Sequence, residues 1–228
     1  MPMKEDGSTT LAEIDRFDEG VGWIAYPNET MQRASHALDT TAGLWLVDPV
    51  DADDLDELLA EFGEVAGVVV CLDRHKRDAA AIARRHDVSV HIPRWMSGVG
   101  SKIDAPIKRV DGELGDTGYE LFEIRNSSVP PWQEAGLYNP DTGTLVVPES
   151  VGTADYFTVG RERLGVHPML RVIPPRETLG RFSPERVLVG HGAGVLDDAA
   201  AALEDALDGS KKTALSLYGK TAKQFLTS

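Results

Sequence analysis

Two short stretches of this sequence set chemically capable residues at the ends of apolar runs. The first, Leu72-Asp73-Arg74-His75-Lys76-Arg77-Asp78, directly follows the run VAGVVVC. The second, Gly190-His191-Gly192-Ala193-Gly194, directly follows RVLV. In an open α/β sheet, ligands bind in the crevice beyond the C-terminal ends of the strands. Charge at such a place needs a reason, and a crevice there would meet its ligand with carboxylates, imidazoles and guanidinium groups. Glycines on both sides of His191 allow close backbone approach and leave the ring unobstructed.

The elements that must position these residues can be read from periodicity. From Ile14 to Val50 the apolar residues fall in the bursts VGWIAY, SHAL and GLWLVDP, separated by the turn-forming PNET and DTTAG. That pattern predicts an antiparallel meander ending at Asp48 and Pro49. ADDLDELLAEFG follows with acidic residues in its first turn, Leu55, Leu58, Leu59 and Phe62 on one face, and Gly63 as a stop, which predicts a helix. VAGVVVCL reads as a strand buried on both faces, DAAAIARRHD as a helix and VSVHIP as a strand. Residues 50 to 93 therefore predict a parallel strand pair joined by a crossover helix. Residues 97 to 131 are rich in Gly, Asp and Pro, with YELFEIR as the one clear strand, and LYNPDTGTLVVPES reads as a hairpin. DDAAAALEDAL predicts a helix after the glycine-rich loop, and KKTALSLYGKTAKQFL a final, separate one. With no repeat and no linker, a single domain over residues 1 to 228 is expected.

Composition narrows the function. The 228 residues carry 37 acidic side chains against 23 basic ones, a formal net charge of −14. Such a surface repels nucleic acid and anionic membranes and leaves a small molecule as the expected ligand. The basic residues are mostly arginine, 15 against 8 lysines. This acid-rich, lysine-poor balance resembles proteins of salt-loving archaea, in which strong screening weakens the repulsion between dense carboxylates; an ordinary acidic cytosolic protein is the plainer alternative. No run of about 18 apolar residues occurs and the N-terminus lacks the pattern of a signal peptide, so a cytoplasmic location is expected. The lone Cys71, inside an apolar run, reads as a structural thiol.

Taken in order, a strand ending in Asp48-Pro49, a helix, an apolar strand with a charged motif at its end and a later strand ending in Gly190-His191-Gly192 resemble the landmarks of the metallo-β-lactamase superfamily. They span roughly residues 20 to 210. The resemblance implies an αββα sandwich, two mixed sheets packed face to face with helices outside, and a metal cleft at one edge. Members of the superfamily place H-x-H-x-D-H at the end of that strand, where three imidazoles and a carboxylate help hold two zinc or iron ions. Here Asp73 stands where the first histidine would be, His75 matches the second, Arg77 replaces the aspartate and Asp78 replaces the last histidine. A guanidinium cannot ligate a cation and repels one nearby. The segment Val129-Pro130-Pro131-Trp132-Gln133-Glu134 supplies no counterpart of the next family histidine. Glu149, in LVVPES, is a longer substitute for the bridging aspartate, and His191 matches the last histidine.

The resemblance thus implies a ligand set of His75, Asp78, Glu149 and His191, with Asp73 and Arg77 as the candidates for other roles in catalysis. A carboxylate-rich set favours manganese, magnesium or iron over zinc. One reading is a metal-dependent hydrolase of a small ester, thioester or phosphoester. The other is a non-catalytic scaffold in which Arg77 replaces a metal ion's charge by pairing with Asp73, Asp78 or Glu149. No metal would then bind, and the cleft would take an anionic ligand or a partner chain.

The remaining histidines are weighed by context. His36 is expected on a surface strand, although in the family that strand runs beside the cleft. His86 suits a helix C-terminus, and His91 a structural place in its strand. His167, within Arg163 to Arg171 and following Tyr156-Phe157, fits a cleft wall and a loop anchor equally well. Trp95 and Met96 are read as core residues, with an apolar wall of the cleft as the alternative.

Overall fold

Side-chain alternation along each strand determines the layering. In the computed structural model, which describes residues 2–7 and 9–227, seven strands lie in chain order in one sheet. They are β1 (Ala12–Phe17), β2 (Gly20–Ile24), β3 (Ala34–Thr40), β4 (Gly43–Val47), β5 (Val65–Val69), β6 (Val90–Pro93) and β7 (Ile107–Val110). The first four form the expected antiparallel meander, and β4 to β7 run parallel. Helix α1 (Leu55–Ala60) crosses from β4 to β5, and α2 (Ala79–Arg85) from β5 to β6.

The second sheet holds β8 (Glu120–Ser128), β9 (Pro131–Asn139) and β10 (Thr144–Val147). After a two-stranded ribbon of β11 (Val151–Gly152) and β12 (Gly165–Val166) and a short helix α3 (Arg176–Leu179), β13 (Arg186–Val189) completes it in the order β13-β10-β9-β8. The expected hairpin is β9–β10, turned by Asn139, whose Oδ1 accepts the backbone N–H of Asp141 at 3.0 Å and of Thr142 at 3.3 Å. This is an Asx turn.

Leu44 and Leu46 of β4 and Val68 and Val70 at β5 pack outward against Leu55, Leu59 and Ile82 of α1 and α2. Their neighbours Trp45, Val47, Val69 and Cys71 face the other way, onto Leu121, Leu137, Val146 and Leu188 of the second sheet. Leu145, Val147, Val187 and Val189 then turn out against Leu203 and Leu207 of α4 (Ala199–Thr227). Three packed layers between four tiers of structure make the αββα sandwich that the motif order implied.

The structure departs from the sequence reading in three places. Strand β7 lies within the stretch read as loop; as an edge strand only partly buried, it carries little apolar signal. The last two helices are one, because Gly209 and Ser210 continue the helix rather than end it. His36 is buried and not on the surface, since β3 lies between β2 and β4 inside the sheet; its Nε2 lies 2.9 Å from the Val189 carbonyl oxygen. His91 packs at 4.6 Å from Trp45, ring centre to ring centre, and Met96 is in the core.

The sheets meet where the two chemical loops lie. Cys71 and Asp73 exchange backbone hydrogen bonds with β9, through Ala135 N–H to the Cys71 oxygen (2.8 Å) and Asp73 N–H to the Gln133 oxygen (3.0 Å). On the other side, Ala34 N–H donates to the Gly190 oxygen at 3.0 Å. Asp48, the 72–78 loop and His191 therefore share one end of the sandwich.

Candidate metal centre

Asp48 ends β4 in a left-handed conformation, φ 45°. Its Oδ1 accepts the Cys71 N–H at 2.8 Å, which leaves Oδ2 to receive the Nδ1–H of His75 at 3.0 Å. His191 is held in the same manner by a different acceptor, donating its Nδ1–H to the Met31 carbonyl oxygen at 2.8 Å. With Nδ1 carrying the proton, each ring has its Nε2 turned inward, where it could ligate. Both Nε2 atoms face one oxygen, Glu149 Oε2, at 3.2 Å from His75 and 2.9 Å from His191. The ring centres are 5.2 Å apart, and all three side chains are buried.

Close glycine contacts make this approach possible. A Cβ on Gly190 would lie 2.2 Å from the Pro148 carbonyl oxygen and 3.2 Å from the His75 ring. Gly192 has a φ of +87° and would meet Thr153 Oγ1 at 2.3 Å. Any larger residue on either side of His191 would collide with Pro148 or Thr153 and displace its loop.

Glu149 is held from behind by Glu134, a fully buried carboxylate on β9. Glu134 accepts the backbone N–H groups of Glu149 (2.9 Å) and Ser150 (2.7 Å), the Ser150 hydroxyl, and the Trp132 indole N–H (2.8 Å). Burial raises the Glu134 carboxyl against the downward pull of these donors. His167 lies on the other side of Glu149. Its Nδ1 accepts the Met169 N–H at 3.2 Å, so its proton is on Nε2, 3.4 Å from Glu149 Oε1. Burial, opposed by the Glu149 charge, lowers His167 to about 4, so the ring is neutral at ordinary pH.

Arg77 sits beside this group with a φ of 39°. It is partly exposed along its length, but its Nε is fully buried. The expected carboxylate partners are not the ones it finds. Its Nη1 donates to the carbonyl oxygens of Ala34 and Asp48 (2.8 Å to the latter), and Nη2 to that of Gly190 at 3.0 Å. Nη2 also lies 3.4 Å from His75 Nε2. Strand ends from β3, β4 and β13 thus offer carbonyl acceptors, and the guanidinium joins them. Burial lowers it to about 10, which leaves it charged at neutral pH.

Of the expected ligands, His75, Glu149 and His191 come together, while Asp78 stands apart. Asp78 begins α2, and its Oδ2 accepts the Asp51 N–H at 2.9 Å. Asp73 is on the rim, accepting the Gln133 N–H at 3.3 Å and facing Arg74 at 3.3 Å. The carboxylate-rich set anticipated for the metal is therefore corrected to two imidazoles and one carboxylate.

This set suits a divalent ion. Among the described residues, one ligand atom from each of His75, Glu149 and His191 lies within 4.8 Å of the others. Ligands at about 2.0–2.2 Å from a shared tetrahedral ion would be roughly 3.4 Å apart, near the 2.9 and 3.2 Å found to Glu149. Without an ion, two neutral rings would set two lone pairs against a carboxylate oxygen. A proton on His191 Nε2 would relieve this, but burial lowers His191 and disfavours its charged form. A cation between the three would satisfy all three ligand atoms.

No known family model and no curated protein matches the sequence. Solved structures do. DIM-1 metallo-β-lactamase, exposed to ceftazidime, aligns over 91% of this chain and 100% of its own, at 13% identity and a TM-score of 0.62. A putative diflavin flavoprotein fragment from Nostoc sp. aligns over 92% of this chain and 100% of its own, at 14% identity and a TM-score of 0.65. The chain has the metallo-β-lactamase fold. The metal-soaked Flv1 flavodiiron core from Synechocystis sp. gives the same result, covering 90% of this chain and 62% of its own at 12% identity and a TM-score of 0.63.

In this metallo-β-lactamase-fold protein the residues that sequence reasoning missed are those that position the ligands. Glu134 carried no distinctive signal, since Gln133 and Asn139 share its strand. The Met31 carbonyl carried none, because backbone acceptors have no sequence signature.

Proposed function

We propose that the protein is a hydrolase that works with a single divalent ion held by His75, Glu149 and His191. Its substrate class in this reading is a small ester, thioester or phosphoester. The observation that carries the proposal is the matched orientation of the two rings, each with its Nδ1–H committed to a fixed acceptor and its Nε2 turned to one carboxylate oxygen. A His2Glu set leaves a coordination position for water or substrate and suits zinc, with iron also accommodated and manganese less so. When bound, the ion would act as a Lewis acid and lower the pKa of a water to near neutrality.

The chain's own residues supply the rest. Asp48 and the Met31 carbonyl orient the two rings, as outer partners do in metal sites generally. Glu134 holds the loop that carries Glu149. Arg77 fills the space beside His75 with fixed positive charge and limits the site to one ion. In this reading the protein is a divergent member of its superfamily, acting in the cytoplasm of a salt-adapted archaeon.

The scaffold reading has one observation in its favour, the charged Nη2 of Arg77 beside His75 Nε2. Turnover separates the two. Zinc-, iron- and manganese-loaded protein would be assayed with p-nitrophenyl acetate, an acyl thioester and bis-p-nitrophenyl phosphate. Hydrolysis of at least one, abolished by Glu149→Gln and by His191→Ala, is expected. A folded, metal-loaded protein inactive on all three would favour the scaffold.

A further inference from the structure

Arg74 has no role in holding the ion, and its setting is unusual for a rim arginine. Its guanidinium lies 4.3 Å from the centre of the Trp132 ring, and stacking of this kind fixes the plane of the fork. The platform is itself immobile, since Trp132 is buried and its indole N–H is bound to Glu134. Nη1 of Arg74 reaches Asp73 at 3.3 Å, while Nη2 is 3.9 Å from Glu149 Oε1, beyond a hydrogen bond. The Nε–Nη2 edge, the one that binds oxyanions through two parallel hydrogen bonds, therefore has no hydrogen-bond partner among the described residues.

His167 adds a second donor at the same corner. Its Nε2–H faces Glu149 Oε1 at 3.4 Å, a long contact, and its ring is set edge-on to Trp132 at 4.9 Å. The Glu149 carboxylate thus divides the site. Oε2 faces the two Nε2 atoms, and Oε1 faces a cationic fork and a neutral N–H. The exposed Lys4 lies within electrostatic reach of Glu149 as well. In a chain of net charge −14, this is a local concentration of donors with capacity to spare.

We propose that Arg74 and His167 form a subsite for an oxyanion, a carboxylate or phosphate group, directly beside the metal position. The substrate is then an anionic small molecule whose charged group is received by Arg74 while its scissile bond lies at the ion. This substrate assignment rests on the hydrolase reading, but the subsite itself stands on Arg74, Trp132 and His167. Its occupancy can be measured without turnover.

The test is calorimetric titration of zinc-loaded protein with inorganic phosphate and with acetate, with tryptophan fluorescence as a second readout of the Arg74–Trp132 stack. At least one anion is expected to bind, the tighter one identifying the group preferred. Arg74→Gln should weaken that binding about tenfold or more, and Arg74→Lys should fall between, having the charge without the fork. His167→Phe, which keeps the ring packing and removes the donor, should weaken it roughly threefold or more. Zinc affinity should be unchanged in Arg74→Gln. Binding of neither anion, or equal binding by Arg74→Gln and the unmodified protein, would overturn the subsite, the latter because the anion would then be on the ion alone. If the chain binds no zinc yet takes phosphate through Arg74, the hydrolase reading fails and the subsite remains.

Discussion

His75 and His191 are prepared for ligation by what their second nitrogens do. Asp48 Oδ2 and the Met31 oxygen, at 3.0 and 2.8 Å, keep each Nδ1 protonated and each Nε2 open. Asp48→Asn removes the carboxylate that fixes the His75 ring, so zinc affinity should fall about 10–100-fold, read by competition with a chelating dye. An unchanged affinity would mean that Asp48 serves only the fold. Arg77 makes the opposite prediction for stoichiometry. Arg77→Asp takes away a fixed charge and adds a carboxylate where the superfamily has one, so the ion count should rise from one per chain to two. It also removes the guanidinium that bridges the carbonyls of Ala34, Asp48 and Gly190; the Asp48 and Gly190 oxygens keep the Ser35 hydroxyl and the Ala34 N–H as donors, so denaturant unfolding should show a loss of about 1–3 kcal/mol. A second ion that never appears, with the loss of stability present, would give Arg77 a structural role alone. His75, Glu149 and His191 could be found in the sequence because each follows an apolar strand in the expected order. Glu134 and Met31 could not, because their roles depend on register between strands distant in sequence.

The elements read most clearly were those with long apolar runs or strong helical periodicity, such as β5, whose two faces pack on different cores. Short apolar edges and helix joints carried less. The break expected near Gly209 is absent because the helix continues through Leu207, Ser210, Ala214 and Leu217, which are buried along α4. Glycine there has only an entropic cost, and a Cβ on Gly209 would meet nothing within 4 Å. Gly209→Ala should accordingly stabilise the protein by about 0.5–1 kcal/mol in denaturant unfolding. A destabilisation would show that the helix needs flexibility at that point.

For the molecule as a whole, burial follows the αββα order, which the resemblance implied through the order of strand-terminal motifs, while β4, β5, β10 and β13 themselves read only as continuous apolar runs. What the sequence could not carry was which loop carboxylates turn inward. Asp73, Asp78 and Glu149 look equivalent as residue types, and only the packing of the two sheets directs Glu149 alone to the histidines. The net charge of −14 is a property of the same scale. Unscreened, such charge repels itself, so the midpoint of thermal unfolding should rise as potassium chloride is raised from low to molar concentration. A midpoint that is flat or falls would remove the salt-adapted reading while leaving the site untouched. The central claim is that His75, Glu149 and His191 form one metal site, and calorimetric titration of the metal-free protein with zinc tests it most directly. The account predicts one ion per chain, with binding lost in His191→Ala; no binding, two ions per chain, or full binding by that variant would contradict it.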